Sequence, residues 1–412
     1  MTIIDAAHAT PVTTLGTPRL LAGVEQFGSV NLDRHRELHG EPGFRSRGWL
    51  SQALRDVNLL GRGGAAFPVS IKLDLMPSTS RMNVLVNGSE GEPASHKDRT
   101  LMTATPHLVI DGALVVARAL GTSDVTITVH DARAHQSLVR ATRERRDCGT
   151  ISIIRTRDGF VGGEIRAVIN GLNTGSARPS GQRHLPHTHG VGRRPTFASN
   201  VETFAQIALL AHMGIADYAG TGSPIEPGTS LVTLLGDVAC PGVLELPNGT
   251  PLEVLLPGQA DAPVLIGGYH GTWMRNAHSL SLTRASLRDA GAPLGAGVVA
   301  RPFAGTCVLA EIAAVSRWLA QESLGQCGPC FFGLPALAED MQAFANGSAS
   351  ESQAARRLQQ IRGRGACAHP DGAVQFMSSA IAALADDIGV HRRHGACGRE
   401  ASRVLPVPGS AR

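Results

Sequence analysis

The chain has 412 residues, 42% hydrophobic and 4% aromatic, with 48 glycines, seven cysteines and a net charge of +4. That length exceeds one ordinary domain, and the apolar share suffices for real cores. The mild charge, with no basic stripe of interleaved aromatics, argues against nucleic-acid binding. The N-terminus lacks a basic segment followed by an apolar core, so no signal peptide is expected. Charge interrupts the longest apolar stretches, as at Arg118 and Arg301, so no transmembrane segment is expected. An odd cysteine count with a clustered subset points to a reducing cytoplasm and metal ligation rather than disulfides.

In chain order, residues 1–45 are Pro/Gly-punctuated and read as a partly ordered arm. Leu50, Leu54 and Val57 give helical spacing over 49–60. The next segment is Gly61-Arg62-Gly63-Gly64-Ala65-Ala66-Phe67-Pro68, followed by Lys72. Three glycines in four positions let the backbone approach a bound group and aim N–H groups at an anion. A strand over 81–87 then opens into Asn87-Gly88-Ser89-Glu90-Gly91-Glu92-Pro93, with Lys97-Asp98-Arg99 beyond. Open α/β sheets bind ligands at such carboxyl ends of parallel strands. Of 38 basic residues only Lys72 and Lys97 are lysines, and both fall here. Lysine is a compact point charge and arginine a planar fork, so these positions read as sites needing the ammonium. The alternative is two ordinary lysines on solvated faces.

The pattern continues with a helix over 106–120, a strand over 125–129, an Arg-rich and mostly solvated helix over 135–145, and a strand over 150–154. Alternating strands and helices imply a parallel sheet. A helix starts at Phe160-Val161-Gly162-Gly163-Glu164 and runs through 171. The loop 175–195 holds His184, His187 and His189, which without Cys or acidic neighbours read as surface histidines rather than a metal site. Residues 196–203 start another helix, with Ser199 or Asn200 as N-cap and Glu202 in the first turn. Helix N-termini seat phosphates. Strands over 231–235, 242–246 and 263–266, and a short helix over 252–256, make 229–268 β-rich. From 306 onward the chain is helical, including an amphipathic stretch over 308–323. Cys148, Cys240 and Cys307 read as packing residues.

The two glycine and acidic motifs together resemble the FMN- and NADH-binding subunit of respiratory complex I and the related diaphorase subunits of NAD-linked hydrogenases and formate dehydrogenases. The resemblance spans roughly 46–390. It is specific at these motifs and at Glu322-Ser323-Leu324-Gly325-Gln326-Cys327-Gly328-Pro329-Cys330, and loose elsewhere. It implies an α/β fold: a Rossmann-like FMN-binding domain over 46–227, a ubiquitin-like β-grasp domain over 228–301, a helical iron–sulfur-binding domain over 302–398, and a tail over 399–412.

It further implies a flavin-dependent NAD(P)H oxidoreductase subunit using FMN, NADH or NADPH, and an iron–sulfur cluster. Gly61, Arg62, Gly63, Gly64, Phe67, Lys72, Asn87, Ser89, Glu90, Gly91, Glu92, Gly163, Glu164, Ser199, Asn200 and Thr203 would contact the cofactors. Lys72 and Glu92 would act in catalysis by positioning the cofactors, hydride transfer needing geometry more than an acid or base. Cys327, Cys330 and Cys367 match three of the family's four cluster cysteines. The first is Leu324, and His369 and Cys397 are conceivable substitutes. Other departures are Ser89 for Asp, Ile165 for Glu, Ser199 for Asn and Leu75 for a phenylalanine that would clamp adenine. The implied partner is a ferredoxin- or thioredoxin-like redox subunit, in the cytoplasm or peripheral to the inner face of a membrane complex. The competing reading is a non-catalytic scaffold that keeps the fold without the cofactors.

Overall fold

A computed structural model describes residues 10–43, 45–79, 81–181 and 185–409. His184 lies outside the described residues. The first sheet is four-stranded and wholly parallel, in the order Ile151–Arg155, Val125–Val129, Asn83–Gly88, Thr196–Asn200. The chain steps outward from Asn83–Gly88 for two strands, then returns to the other side of that first strand. The reversal lies between Asn83–Gly88 and Thr196–Asn200, and a crevice opens at such a switch point. Strand and helix alternate here for a physical reason. Val84 to Val86 and Val125 to Val129 are buried, as strands covered on both faces require. Helices Pro106–Leu120 and Val201–Ala219 supply most of the covering apolar surface. Pro106 starts the first of these and a left-handed Gly121 ends it.

The helix expected to start within 196–203, with Ser199 or Asn200 as N-cap, does so at Asn200, and the residues before it form an unexpected fourth strand. Thr196–Asn200 pairs in register with Asn83–Asn87, and the helix begins only at Val201, with Asn200 as N-cap. The expected arm is likewise part of the fold: Val12–Thr14 pairs in parallel with Gly242–Pro247, and helix Leu32–His39 packs on the core helices. The Arg-rich helix is Ala132–Arg143, with Ala134, Leu138 and Ala141 buried. The Arg145 side chain just beyond it is buried, its guanidinium 2.6 Å from Asp111. Asp111 also holds His35 at 2.7 Å and His212 at 2.9 Å, which fastens the Leu32–His39 helix to the domain.

The second sheet has six strands in the order Val12–Thr14, Gly242–Pro247, Thr229–Gly236, Val298–Arg301, Val264–Ile266, Thr272–Met274, mixing parallel and antiparallel pairs. The expected helix over 252–256 is a single tight turn, Leu252–Val254. The C-terminal part is a bundle of helices: Val308–Gln321, Leu334–Ala345, Glu351–Ile361, His369–Ala383 and Ala385–His394. Its core includes Trp273 from the six-stranded sheet and Tyr269 from the turn between its last two strands, so bundle and sheet share one interior. Among the described residues no single helix is long and apolar enough to cross a membrane.

Candidate flavin and nucleotide site

The glycine loop folds back on itself, Gly61 N–H donating to the Phe67 carbonyl at 2.9 Å. It is held against helix Val201–Ala219 because Arg62 N–H donates to Thr203 Oγ1 at 2.9 Å. The glycines have different tasks. A Cβ on Gly63 would sit 3.1 Å from the Asn200 Cβ, so Gly63 permits close approach to the helix N-terminus. Gly64 has φ +85°, and a Cβ there would meet nothing within 4 Å. It is the loop's open position, beside the first turn of a helix and at the switch point of the sheet. Backbone N–H groups and the positive end of the helix there favour an anion.

The Arg62 side chain does not face this opening. It is buried, with Nη1 donating to Ser230 Oγ at 2.8 Å and pairing with Glu226 at 3.2 Å. Glu226 also pairs with Arg284. On its other side Arg62 Nε lies 4.0 Å from Glu202, which lies 3.0 Å from Lys97, which lies 2.8 Å from Asp98. Six alternating charges thus run from the parallel sheet into the six-stranded one. Burial lowers the Lys97 pKa, but Asp98, Glu202 and Glu90 outweigh it and hold the ammonium well above its usual value. Lys97 is therefore neither solvated nor aimed at a ligand. The other lysine differs. Lys72, on helix Val69–Asp74, donates to the Ala198 carbonyl at 2.9 Å, and burial lowers its pKa to about 8. Phe67, Ile71 and Leu75 flank it with 42%, 48% and 48% exposure, an open apolar face beside the loop.

The acidic segment is largely occupied with its own geometry. Asn87 Nδ2 donates to the Gly163 carbonyl at 2.8 Å and its Oδ1 accepts from Ser89 N–H. Ser89 Oγ bonds Thr156 Oγ1. Glu90 accepts from Ser95 Oγ, Asp98 N–H and Arg99 N–H, capping helix Lys97–Ala104. Asn200 accepts from Glu202 N–H and Lys97 Nζ and donates to Asp98. Ser199 is buried in its strand. Gly91 and Gly163 mark a backbone crossing: a Cβ on Gly91 would lie 2.8 Å from the Gly159 and Phe160 carbonyls, and one on Gly163 2.5 Å from the Ser89 carbonyl. Glu164 caps helix Ile165–Thr174 by position only; its carboxylate has no hydrogen bond among the described residues, and burial raises its pKa against the nearby Arg166. Ile165 packs beside the small cluster of Leu85, Val168, Ile169 and Ala198, which is why an apolar residue sits there.

Glu92 turns toward the six-stranded sheet, accepting from Tyr269 N–H at 2.7 Å and Ala94 N–H at 3.2 Å. Burial pushes its pKa up to about 7 against those two bonds. It lines a cavity of about 1080 Å³ with Glu90, Phe160, Glu311, Trp318 and the segment 401–409. The glycine loop and Lys72 are not among that cavity's walls.

The cysteines adjoin this region. Phe160 N–H donates to Glu322 at 2.8 Å, and the Phe160 ring meets those of Trp318, His270 and His369 edge-on. Cys330 is buried, and burial together with Cys327 raises its thiol to about 12 despite a hydrogen bond from Ser323. Cys367 feels the charges of Glu164 and Cys327, which makes them neighbours, although among the described residues the three thiols are not gathered within 4.8 Å of one another. Three thiolates and Leu324 do not complete a four-thiolate shell. Neither conceivable substitute supplies the fourth: His369 engages Leu319 O and His270 through its two nitrogens, and Cys397 lies with Cys307 and His391. Cys240 is exposed, not packed as expected. His187 is partly buried and His189 exposed. Sequence reasoning missed the roles of Glu202 and Glu226, which hold the Lys97 and Arg62 side chains; only the rarity of lysine hinted at the first.

A parallel sheet with an open glycine loop at its switch point, backed by a cysteine-bearing helical bundle, defines a flavin-type redox fold. Residues 54–209 match the Nuo51 FMN-binding domain and residues 310–391 the NADH-ubiquinone oxidoreductase-F iron–sulfur binding region. The chain is 30% identical to the F-type subunit of NADH-quinone oxidoreductase from Salmonella typhimurium over 391 residues, covering 85% of this chain and 87% of that one. It is also 30% identical to the corresponding Escherichia coli protein over 389 residues, with the same coverage. An NAD+-reducing [NiFe]-hydrogenase structure in the air-oxidized state superposes with a TM-score of 0.79 at 26% identity, covering 93% of this chain and 68% of that chain. The chain belongs to the 51K flavoprotein family of complex I-like oxidoreductases. It is a flavin-binding, NADH-oxidising oxidoreductase subunit that passes electrons toward an iron–sulfur acceptor.

Proposed function

We propose that FMN lies along the Gly61–Gly64 backbone, its phosphate at the N-terminus of helix Val201–Ala219. The observation behind this is the open, positive-φ Gly64 beside that helix end at the switch point. Bound there, FMN supplies hydride acceptance and one-electron release. Lys72 places a cation within reach of the cofactor while the Ala198 carbonyl fixes its direction. Phe67 offers an apolar face to the nucleotide base, and Leu75 offers a smaller one than a phenylalanine would. Asn87, Ser89, Gly91 and Gly163 act mainly by holding the acidic turn in shape, with Thr203 and Asn200 doing the same for the glycine loop. Glu164, whose charge is offset in part by Arg166, lies near Cys367 and links the flavin side to the cysteines. Glu92 reaches the nucleotide from the cavity side.

The domain boundaries near 46, 228 and 302 belong to the same reading, with the six-stranded sheet as the ubiquitin-like unit. The partner is a small iron–sulfur redox subunit. Phe331 and Phe332, 65% and 72% exposed directly after Cys330, support a protein contact there. The scaffold reading draws support from Leu324 alone. Purification followed by anaerobic NADH addition separates the two. A yellow protein bleached by NADH supports the catalytic reading. A colourless protein that takes up no added FMN overturns it.

A further inference from the structure

The C-terminal end brings together ligand-type side chains that neither the flavin loop nor the Cys327–Cys330 motif uses. Cys307 precedes helix Val308–Gln321, His391 lies in the last turn of Ala385–His394, and Cys397 follows that helix. One ligand atom from each lies within 4.8 Å of the other two; Cys307 and His391 are buried and Cys397 partly so. The imidazole has a fixed tautomer. His391 Nδ1 is 2.7 Å from the Ala345 carbonyl, which can only accept, so Nδ1 carries the proton. Nε2 is then a lone pair, and it faces Cys307 Sγ at 3.7 Å. A histidine donating its outer N–H to a carbonyl while offering the other nitrogen is the usual arrangement of a metal ligand.

We propose that Cys307, His391 and Cys397 bind a Zn²⁺ ion that staples the C-terminal segment to the helical bundle. Two thiolates and an imidazole suit zinc better than hard cations, and three protein ligands leave a fourth position for water on the partly exposed Cys397 side. The consequence lies just beyond the ligands. Cys307 N–H donates to the Glu400 carbonyl at 2.8 Å, and Glu311 accepts from Ser402 Oγ, Val404 N–H and Leu405 N–H. Tyr269 Oη donates to the Pro406 carbonyl at 2.7 Å. The segment so laid down is the wall of the 1080 Å³ cavity that Glu92 shares. The ion would sit at the root of that wall. None of this depends on the flavin assignment.

The test uses the full chain, purified under reducing conditions, loaded with ZnCl₂, desalted, and assayed for zinc and iron together. About one zinc per chain is expected. It should be lost in Cys397→Ser and retained in both Cys240→Ser and the double variant Cys327→Ser/Cys330→Ser. Co²⁺ in place of zinc should give a thiolate-to-cobalt charge-transfer band in the wild-type protein, which keeps the test decisive if a variant fails to fold. Removing zinc with a chelator should speed trypsin cleavage after Arg399 or Arg403 by roughly tenfold or more, as cleavage follows the open population. Zinc content unchanged in Cys397→Ser, no cobalt band, or a Cys307–Cys397 disulfide in the reduced preparation would each overturn the proposal.

Discussion

Arg62 is where the family motif and the geometry part company, and the difference is measurable. The motif suggests a cofactor contact, whereas the guanidinium is buried against Glu226, Ser230 and Thr229. Removing one partner of a buried ion pair costs about 3–5 kcal/mol. Here Glu226 keeps Arg284 and Glu202 keeps Lys97, so neither carboxylate is wholly orphaned. Arg62→Ala should therefore fall at the lower end, about 3 kcal/mol. That corresponds to a melting temperature lower by roughly 6–12 °C for a cooperative unit of about 150–250 residues. The comparison belongs in flavin-free protein, because bound cofactor stabilises by mass action. Arg62→Lys keeps the charge without the fork and should fall between. A flavin-free variant melting within about 2 °C of wild type, with FMN affinity sharply weakened, would show that Arg62 serves the cofactor instead.

Other outcomes can be checked in the same way. Gly64→Val should abolish FMN retention while leaving the flavin-free fold intact apart from a strain of about 1 kcal/mol at positive φ; normal flavin content on purification would refute the cradle. Glu92 has a folded pKa raised from 4.5 to about 7, so its contribution to stability is fully present below pH 4.5 and is lost as pH rises through 7. Glu92→Gln should flatten the fall in unfolding free energy between pH 5 and 8 by up to roughly 3 kcal/mol, and parallel profiles would count against it. Leu324→Cys should raise the iron and sulfide of anaerobically prepared protein and harden it against air, and Cys330→Ala should remove both while FMN stays bound. If Leu324→Cys holds no iron either, the three cysteines are not a cluster site.

What can be read from the sequence is what depends on local spacing. The helix Pro106–Leu120 and the strand Val125–Val129 match their expected bounds because an apolar period and a proline start are written within a few residues. The Ser-Asn-Val-Glu-Thr cap signal marks the helix start at Asn200, but such a signal does not show that a strand, Thr196–Asn200, feeds it. The placement of Arg62 and Lys97 is hidden for another reason. Their partners Glu226 and Glu202 lie more than a hundred residues away, and no periodicity encodes such a pairing. Cys307, His391 and Cys397 likewise follow no recognisable ligand spacing, and only the folded bundle brings them together.

The buried file of alternating charges has a dynamic consequence. Parting the two sheets along it would leave carboxylates and cations unpaired in a low-dielectric seam, at several kcal/mol for each broken pair. A joint of that kind behaves as a weld, not a hinge. On the proposed placement of the cofactors, nucleotide would enter and leave past the open rim of Phe67, Ile71 and Leu75 or through the cavity beside Glu92, with the two sheets keeping a constant separation. Turnover limited by such a rigid frame should respond weakly to solvent viscosity, in contrast to enzymes whose rate is set by closing one domain on another.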